Sequence, residues 1–272
     1  MNIYIIPTGG LCNRMRAISS GIAIAKKHGQ KSIVFWNNSQ GLRADFNQLF
    51  LPIDDHQIEI IENKKWLYHI DNTKDYFKRW LPIHYLYTPT FNYNIYNNNG
   101  KALEISPDKN NLLISCNSMC PDYYPLNKLF KPQTHLQKRI DQITADFPDK
   151  IYGVHIRRTD NKASIKRSPT ESFIKIIQRE FEKDASSMFY LATDDNNVKH
   201  QLKQLFSNHI ITFLDDTSRN TLEGMEFAIV DLYCLSHTMK IIGSGYSSYS
   251  HIAAEIGGIE IEYANDRFSD TL

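Results

Sequence analysis

Apolar runs and amphipathic stretches succeed one another regularly from residue 151 onward. Short β-branched and aromatic runs at 151–156, 188–192, 210–214, 239–242 and 259–263 predict strands. Between them, apolar positions recur every three or four residues over 170–183, 196–206, 221–237 and 248–256, which predicts helices. Parallel strands need a crossover, and an amphipathic helix supplies one. This succession therefore predicts a doubly wound α/β domain, whose ligands sit at the carboxyl ends of its strands.

The first half is less regular. Residues 2–6 read as a strand, Pro7-Thr8-Gly9-Gly10 breaks it, and 11–27 follows as a helix with Met15, Ile18, Ile22 and Ala25 on one face. Residues 32–36 predict the next strand, completing a βαβ opening, and 58–62 and 111–116 predict two more. The Asn- and Tyr-rich stretch 92–100 has no period and reads as a loop, whereas 134–147 is amphipathic and helical. Pro148-Asp149-Lys150 marks the expected boundary, giving two Rossmann-like domains, 1–148 and 149–272.

A chain of 272 residues with 42 % apolar and 22 % charged residues has the means for a sizeable core. A formal net charge of +1 provides no global field for nucleic acid, so any anion site must be local. Cys12, Cys116, Cys120 and Cys234 are too scattered for a disulfide framework. Cys116 and Cys120 have no second pair beside them, so no zinc site is expected. The start, MNIYIIPTGG, lacks the basic region of a signal peptide, and no run reaches the ~20 apolar residues of a membrane span. The expectation is a cytoplasmic protein, with peripheral membrane contact left open.

Candidate chemistry gathers just past the predicted strands. The first strand of the second half ends in Arg157, Arg158, Thr159 and Asp160, the next in Thr193, Asp194 and Asp195, and the fourth in Gly243-Ser244-Gly245-Tyr246-Ser247-Ser248. Asp231 interrupts an otherwise apolar helical run. Each residue also has a purely structural reading. Arg157 can pair with Asp160 or Asp194, Asp195 can cap a helix, and so can Ser247 and Ser248. Taken together they suit a nucleotide. Paired guanidiniums fork onto phosphate oxygens, a glycine turn opening a helix adds N–H donors, and acids accept from a base or a ribose. The amino-terminal turn of Gly9, Gly10, Asn13 and Arg14 has neither P-loop nor dinucleotide spacing, but permits backbone approach at a helix start. Asn13 and Arg14 are expected to point across a cleft.

The stretch GVHIRRTD resembles the H-x-R-R-x-D motif of GDP-fucose-dependent fucosyltransferases, particularly the α-1,6 and nodulation-factor type. Residues 189–195 resemble that family's second motif, and 229–236 with Gly245-Tyr246-Ser247-Ser248 its third; GGLCNR resembles the glycine loop of α-1,2 and protein-O-fucosyltransferases. The resemblance covers 151 to about 258 and does not extend to 37–145. It implies a GT-B fold, two Rossmann-like domains facing a central cleft, and an inverting, metal-independent glycosyltransferase that needs no cofactor beyond GDP-fucose as donor. Arg157 and Arg158 would hold the diphosphate, with Arg158 on the departing phosphate. His155 and Asp231 would contact guanine or ribose, Asp160, Asp194 and Asp195 would order the site, and Ser247 and Ser248 would complete the phosphate cradle.

One departure bears on mechanism. Where α-1,6 relatives carry a Glu shortly after this motif, the chain reads Asn161 to Arg167 with no acid, leaving Asp160 and Glu171 as candidate bases. Lys162, Lys166 and Arg167 there suggest an acidic glycan or glycolipid acceptor, set against a solvated basic loop. The aromatics between Trp66 and Tyr96, with Lys74, Lys78 and Arg79 among them, offer sugar stacking, membrane contact or simply a packed core. The expected role is fucosyl transfer in bacterial surface or capsular polysaccharide synthesis. The alternatives are a non-enzymatic nucleotide- or glycan-binding relative, or another phosphate-handling enzyme, for which no nucleophile with its own base is visible.

Overall fold

The computed structural model describes residues 1–39, 41–63, 91–95 and 105–265, with backbone alone for 91–95. The chain divides into two compact units. The first is Met1–Gln133 with Arg219–Met225, and the second is Thr134–Ser218 with Glu226–Leu272.

Unit one is built on a five-stranded parallel sheet in the order β3-β2-β1-β5-β4. The strands are β1 (Asn2–Pro7), β2 (Lys31–Trp36), β3 (Ile58–Glu62), β4 (Phe91–Ile95) and β5 (Asn110–Ser115). Helix α1 (Leu11–Lys27) crosses from β1 to β2, and its expected apolar face, Met15, Ile18, Ile22 and Ala25, is fully buried. Two short helices, α2 (Phe46–Leu49) and α3 (Leu126–Leu129), bring Phe46, Phe50 and Phe130 around Trp36, with ring centroids 5.2–6.4 Å apart. The stretch expected as a loop from residue 92 is a strand over its described part. β4 pairs with β5 from Phe91↔Asn110 to Ile95↔Ile114, so sheet pairing overrides a local sequence with no period. The aromatic and basic segment from Trp66 to Tyr96, with Lys74, Lys78 and Arg79, lies outside the described residues apart from 91–95.

Unit two starts with α4 (Thr134–Thr144) and holds a second five-stranded parallel sheet, β10-β9-β6-β7-β8. Its strands are β6 (Ile151–Ile156), β7 (Met188–Thr193), β8 (Ile210–Ile211), β9 (Lys240–Gly243) and β10 (Glu260–Tyr263). The helices are α5 (Lys162–Arg167), α6 (Thr170–Lys183), α7 (Asn196–Phe206), α8 (Leu222–Ser236), which enters this unit at Glu226, and α9 (Ser248–Gly257). Val154, Ile156, Phe173, Ile177, Phe189, Leu191 and Leu202 are among the residues of its core. Strand order reverses between β6 and β9, because the chain runs outward from β6 to β8 and returns on the other side of β6. The loops after β6 and β9 therefore splay apart over one end of the sheet, where open α/β sheets take their ligands. Among the described residues no helix is long and apolar enough to cross a membrane.

Candidate functional site

The loop after β6 carries Arg157, Arg158, Thr159 and Asp160, and the loop after β9 runs from Ser244 to Ser247. Three polar bridges join them. The Ser244 hydroxyl accepts the Arg157 N–H at 3.0 Å and donates to the His155 carbonyl at 3.0 Å. The buried Ser168 hydroxyl accepts the Gly245 N–H at 2.8 Å, and Asn161 Nδ2 donates to the Tyr246 carbonyl at 3.0 Å. A Cβ on Gly245 would stand 2.9 Å from Arg167 Cγ and 3.3 Å from Ser168 Oγ, so only glycine lets the loops approach this closely.

Asp194, at the end of β7, organises the arginine loop. One oxygen accepts the Arg158 N–H at 2.7 Å; the other accepts Thr159 Oγ1 at 2.6 Å and the Thr159 N–H at 3.2 Å, and pairs with Arg157 at 3.0 Å. Burial works against this carboxylate, but Arg157 and these donors outweigh it and hold the pKa below the usual Asp value. Asp160 pairs with Arg157 through a short contact. Both ion pairs foreseen for Arg157 thus form together.

Arg158 is handled differently. Its guanidinium donates to the Arg157 carbonyl at 2.8 Å, the Ser168 carbonyl at 2.9 Å and the Thr170 hydroxyl at 3.1 Å, all neutral acceptors. The guanidinium carbon lies 5.8 Å over the ring of Phe173. Burial lowers its pKa, though a guanidinium stays charged at physiological pH. The second unit therefore holds, at the switch point of its sheet, a partly buried cation that, among the described residues, hydrogen-bonds only to neutral acceptors and leaves two of its five N–H bonds unspent, while Asp194, Glu171 and Asp195 act on its charge through space.

His155 is buried and neutral. Burial, then the Arg157 charge, pushes its pKa down to about 3. Its Nδ1 shares a hydrogen bond with Ser250 Oγ at 2.7 Å, and its ring stacks on Tyr249 at 4.7 Å. Asp195 caps α7 by accepting the Asn197 N–H at 2.8 Å. Ser247 occupies the N-cap position of α9 without a side-chain capping bond, and Ser248 opens the helix. Glu171 lies in the first turn of α6, next to the Thr170 that anchors Arg158. In the stretch 161–167, where a solvated basic loop stood against acceptor recognition, residues 162–167 form the short helix α5, capped by Asn161 through the Ser164 N–H at 3.0 Å, with Lys162 and Lys166 exposed.

Asp231 is carried by helix α8 rather than by these loops. Buried on α8, it accepts the Tyr190 hydroxyl at 2.5 Å, and burial pushes its pKa up to about 7. A raised carboxyl binds its proton more tightly in the folded state. Its stabilising contribution is complete below about pH 4 and fades as pH rises towards 7. His155 acts in the opposite sense, contributing fully above about pH 6.5 and losing that as pH falls towards 3. Asp231→Asn should therefore raise the melting temperature at pH 8 by roughly 2–6 °C, with the gain vanishing near pH 4. Thermal melts at the two pH values check this.

The glycine loop belongs to unit one. Gly9 has φ +80°, a conformation that favours glycine, and Gly10 precedes α1 in an extended conformation. Asn13 accepts from Arg16 at 3.1 Å. Arg14 departs from the expectation that it points across a cleft. It is buried, donating to the Gly9 carbonyl at 2.8 Å, the Asn37 carbonyl at 2.5 Å and Ser39 Oγ at 2.7 Å, and it lies over Trp36. Arg219, which the sequence reading missed, also stands beside the turn, with Nη1 3.5 Å from where a Cβ on Gly10 would be. Also missed were Ser168 and Thr170, ordinary-looking turn residues whose one legible signal is their position flanking the strand-end motifs, whereas Ser244 lay within the strand-end stretch without a role of its own. Among the described residues no three His, Cys, Asp or Glu side chains converge as a metal-binding group.

No protein-family model and no curated protein matches the chain. Solved structures do. NodZ alpha-1,6-fucosyltransferase soaked with GDP-fucose, an enzyme also solved from Bradyrhizobium, matches with a TM-score of 0.63 at 18 % identity, over 94 % of this chain and 93 % of that one. A point mutant of Arabidopsis thaliana FUT1 in complex with GDP matches with a TM-score of 0.60 at 13 % identity, over 96 % and 69 % of the two chains. POFUT1 in complex with GDP-fucose gives 0.56 at 10 %, over 96 % and 97 %. The chain thus has the fold of these fucosyltransferases along almost its whole length, with its own double arginine at the switch point of the second sheet.

Proposed function

We propose that the protein is an inverting, metal-independent fucosyltransferase of GT-B architecture that moves L-fucose from GDP-fucose to a glycan or glycolipid acceptor. The observation that carries this reading is the guanidinium of Arg158, fixed by neutral acceptors on Ser168 and Thr170 beside the Arg157–Asp194 pair. Breaking the bond between the sugar and the diphosphate leaves negative charge on the departing phosphate. A fixed guanidinium there lowers the barrier more than one that must first reorganise. Arg157, Ser247 and Ser248 complete the diphosphate cradle, while His155 and Asp231 serve the nucleoside. Asp194 orders the arginine loop and Asp195 the start of α7. With two guanidiniums opposing the leaving charge, this mechanism has no metal-dependent step.

The acceptor hydroxyl attacks the anomeric carbon from the face opposite the diphosphate and yields its proton to a base. Of the two candidates, Asp160 is committed to its ion pair with Arg157. Glu171, at the start of α6, is the base in this reading. The exposed Lys162 and Lys166 suit an acidic acceptor, as in surface or capsular polysaccharide synthesis carried out in the cytoplasm.

The test is thermal stabilisation by GDP, UDP, ADP, CMP and GDP-fucose, with and without EDTA, in the wild type and Arg158→Ala. Stabilisation selective for GDP, indifferent to EDTA and lost in the variant is the expected result. Preference for another nucleotide overturns the fucose assignment. The absence of an acid on α5 favours one further reading, a nucleotide-binding relative without catalysis. That reading predicts GDP stabilisation with no release of fucose from GDP-fucose.

A further inference from the structure

Tyr246 has a backbone conformation that its residue type disfavours. Its φ is +57°, in the left-handed region that bulky side chains avoid because the Cβ crowds the carbonyl oxygen. The strain is held in place by the Asn161 bond to its own carbonyl, the Gly245 bond to Ser168, and the Ser247 N–H donating to the Ser244 carbonyl at 3.3 Å. Glycine or asparagine would occupy this position with less strain. Moreover, the ring is 72 % exposed, so core packing does not offset the strain. Strain that burial does not repay, at a loop where ligands bind, points to the side chain as the functional element.

Its location narrows the role. Ser168 takes Arg158 with its carbonyl and Gly245 with its hydroxyl, so Tyr246 directly follows the residue bonded to the anchor of that guanidinium. If Arg158 grips the phosphate next to the sugar, an exposed aromatic face in this position is within reach of the sugar itself. We propose that Tyr246 is the platform for the donor's sugar ring, its aromatic face packing against the sugar's C–H and methyl groups. The inference rests on the fucosyltransferase reading above and makes Tyr246 a specificity-determining residue for the sugar rather than for the nucleotide.

Calorimetric dissociation constants for GDP and GDP-fucose in the wild type, Tyr246→Phe, Tyr246→Asn and Tyr246→Gly test it. The ratio of the two constants should be preserved in Tyr246→Phe. In Tyr246→Asn and Tyr246→Gly, GDP-fucose should weaken roughly 3- to 10-fold more than GDP. Because both replacements tolerate the left-handed conformation, their melting temperatures should hold or rise. Equal weakening of both ligands, or an unchanged ratio, overturns the sugar platform while leaving the donor site intact. A wild type that binds GDP-fucose no better than UDP-glucose overturns the donor reading and the platform with it.

Discussion

Arg158→Ala is expected to lower the rate of fucose transfer or of GDP-fucose hydrolysis by about 10²- to 10³-fold, the effect of removing one preorganised donor from a developing anion. Folding should suffer far less, because the guanidinium is only partly buried and its partner Ser168 keeps its bond to Gly245. Arg158→Lys retains the charge but cannot reach the Arg157 carbonyl, the Ser168 carbonyl and the Thr170 hydroxyl together. It should recover only a small part of the loss. Turnover measured alongside the melting temperature decides the matter. A variant that melts normally and turns over within threefold of the wild type would make Arg158 a structural cation.

The second large effect is expected beneath that arginine. Phe173, on helix α6, is fully buried in the second unit's core, and its ring is the floor under the Arg158 guanidinium. Phe173→Ala removes most of that side chain and leaves a cavity, which costs about 3–5 kcal/mol. For a unit of this size the melting midpoint should fall by about 10 °C. Phe173→Leu separates packing from recognition. It keeps most of the volume, so stability should change by less than about 1.5 kcal/mol, yet it withdraws the aromatic face from the cation. Near-normal melting with a several-fold weaker response to GDP is the expected pattern. An unaltered response would show that the ring only fills space.

How much of this was legible depended on the length of each pattern. Helices α1, α6 and α7 were readable to their ends because several turns of apolar spacing outvote local noise, and β6 because a continuous apolar run meets a charged stop. Strand β4 was not, since its identity comes from pairing with β5 rather than from its own asparagines and tyrosines. Six-residue α5 is too short to show a period, and its cap, Asn161, looks like any polar residue before a basic run. Within the site, Arg157, Arg158 and Asp194 stood out because charge is rare at the end of a buried strand. That Arg14 would turn inward was hidden, because its acceptors, the carbonyls of Gly9 and Asn37, leave no trace in a sequence. The bridges made by Ser168 and Ser244 were hidden for a similar reason, as a serine's partners depend on the fold.

The placement of Arg219–Met225 in the first unit, between two segments of the second, has a consequence for biosynthesis. The Arg43 N–H donates to the Arg219 carbonyl at 3.1 Å, and the Gly41 N–H to Asn220 Oδ1 at 3.0 Å. The amino-terminal unit therefore lacks part of its own structure until the ribosome has passed residue 225, several seconds after residue 133 at ordinary elongation rates. Through that interval the glycine turn waits without Arg219, and no single cut can release two intact halves. A chain interrupted between 218 and 219 would strand seven residues from the unit they complete.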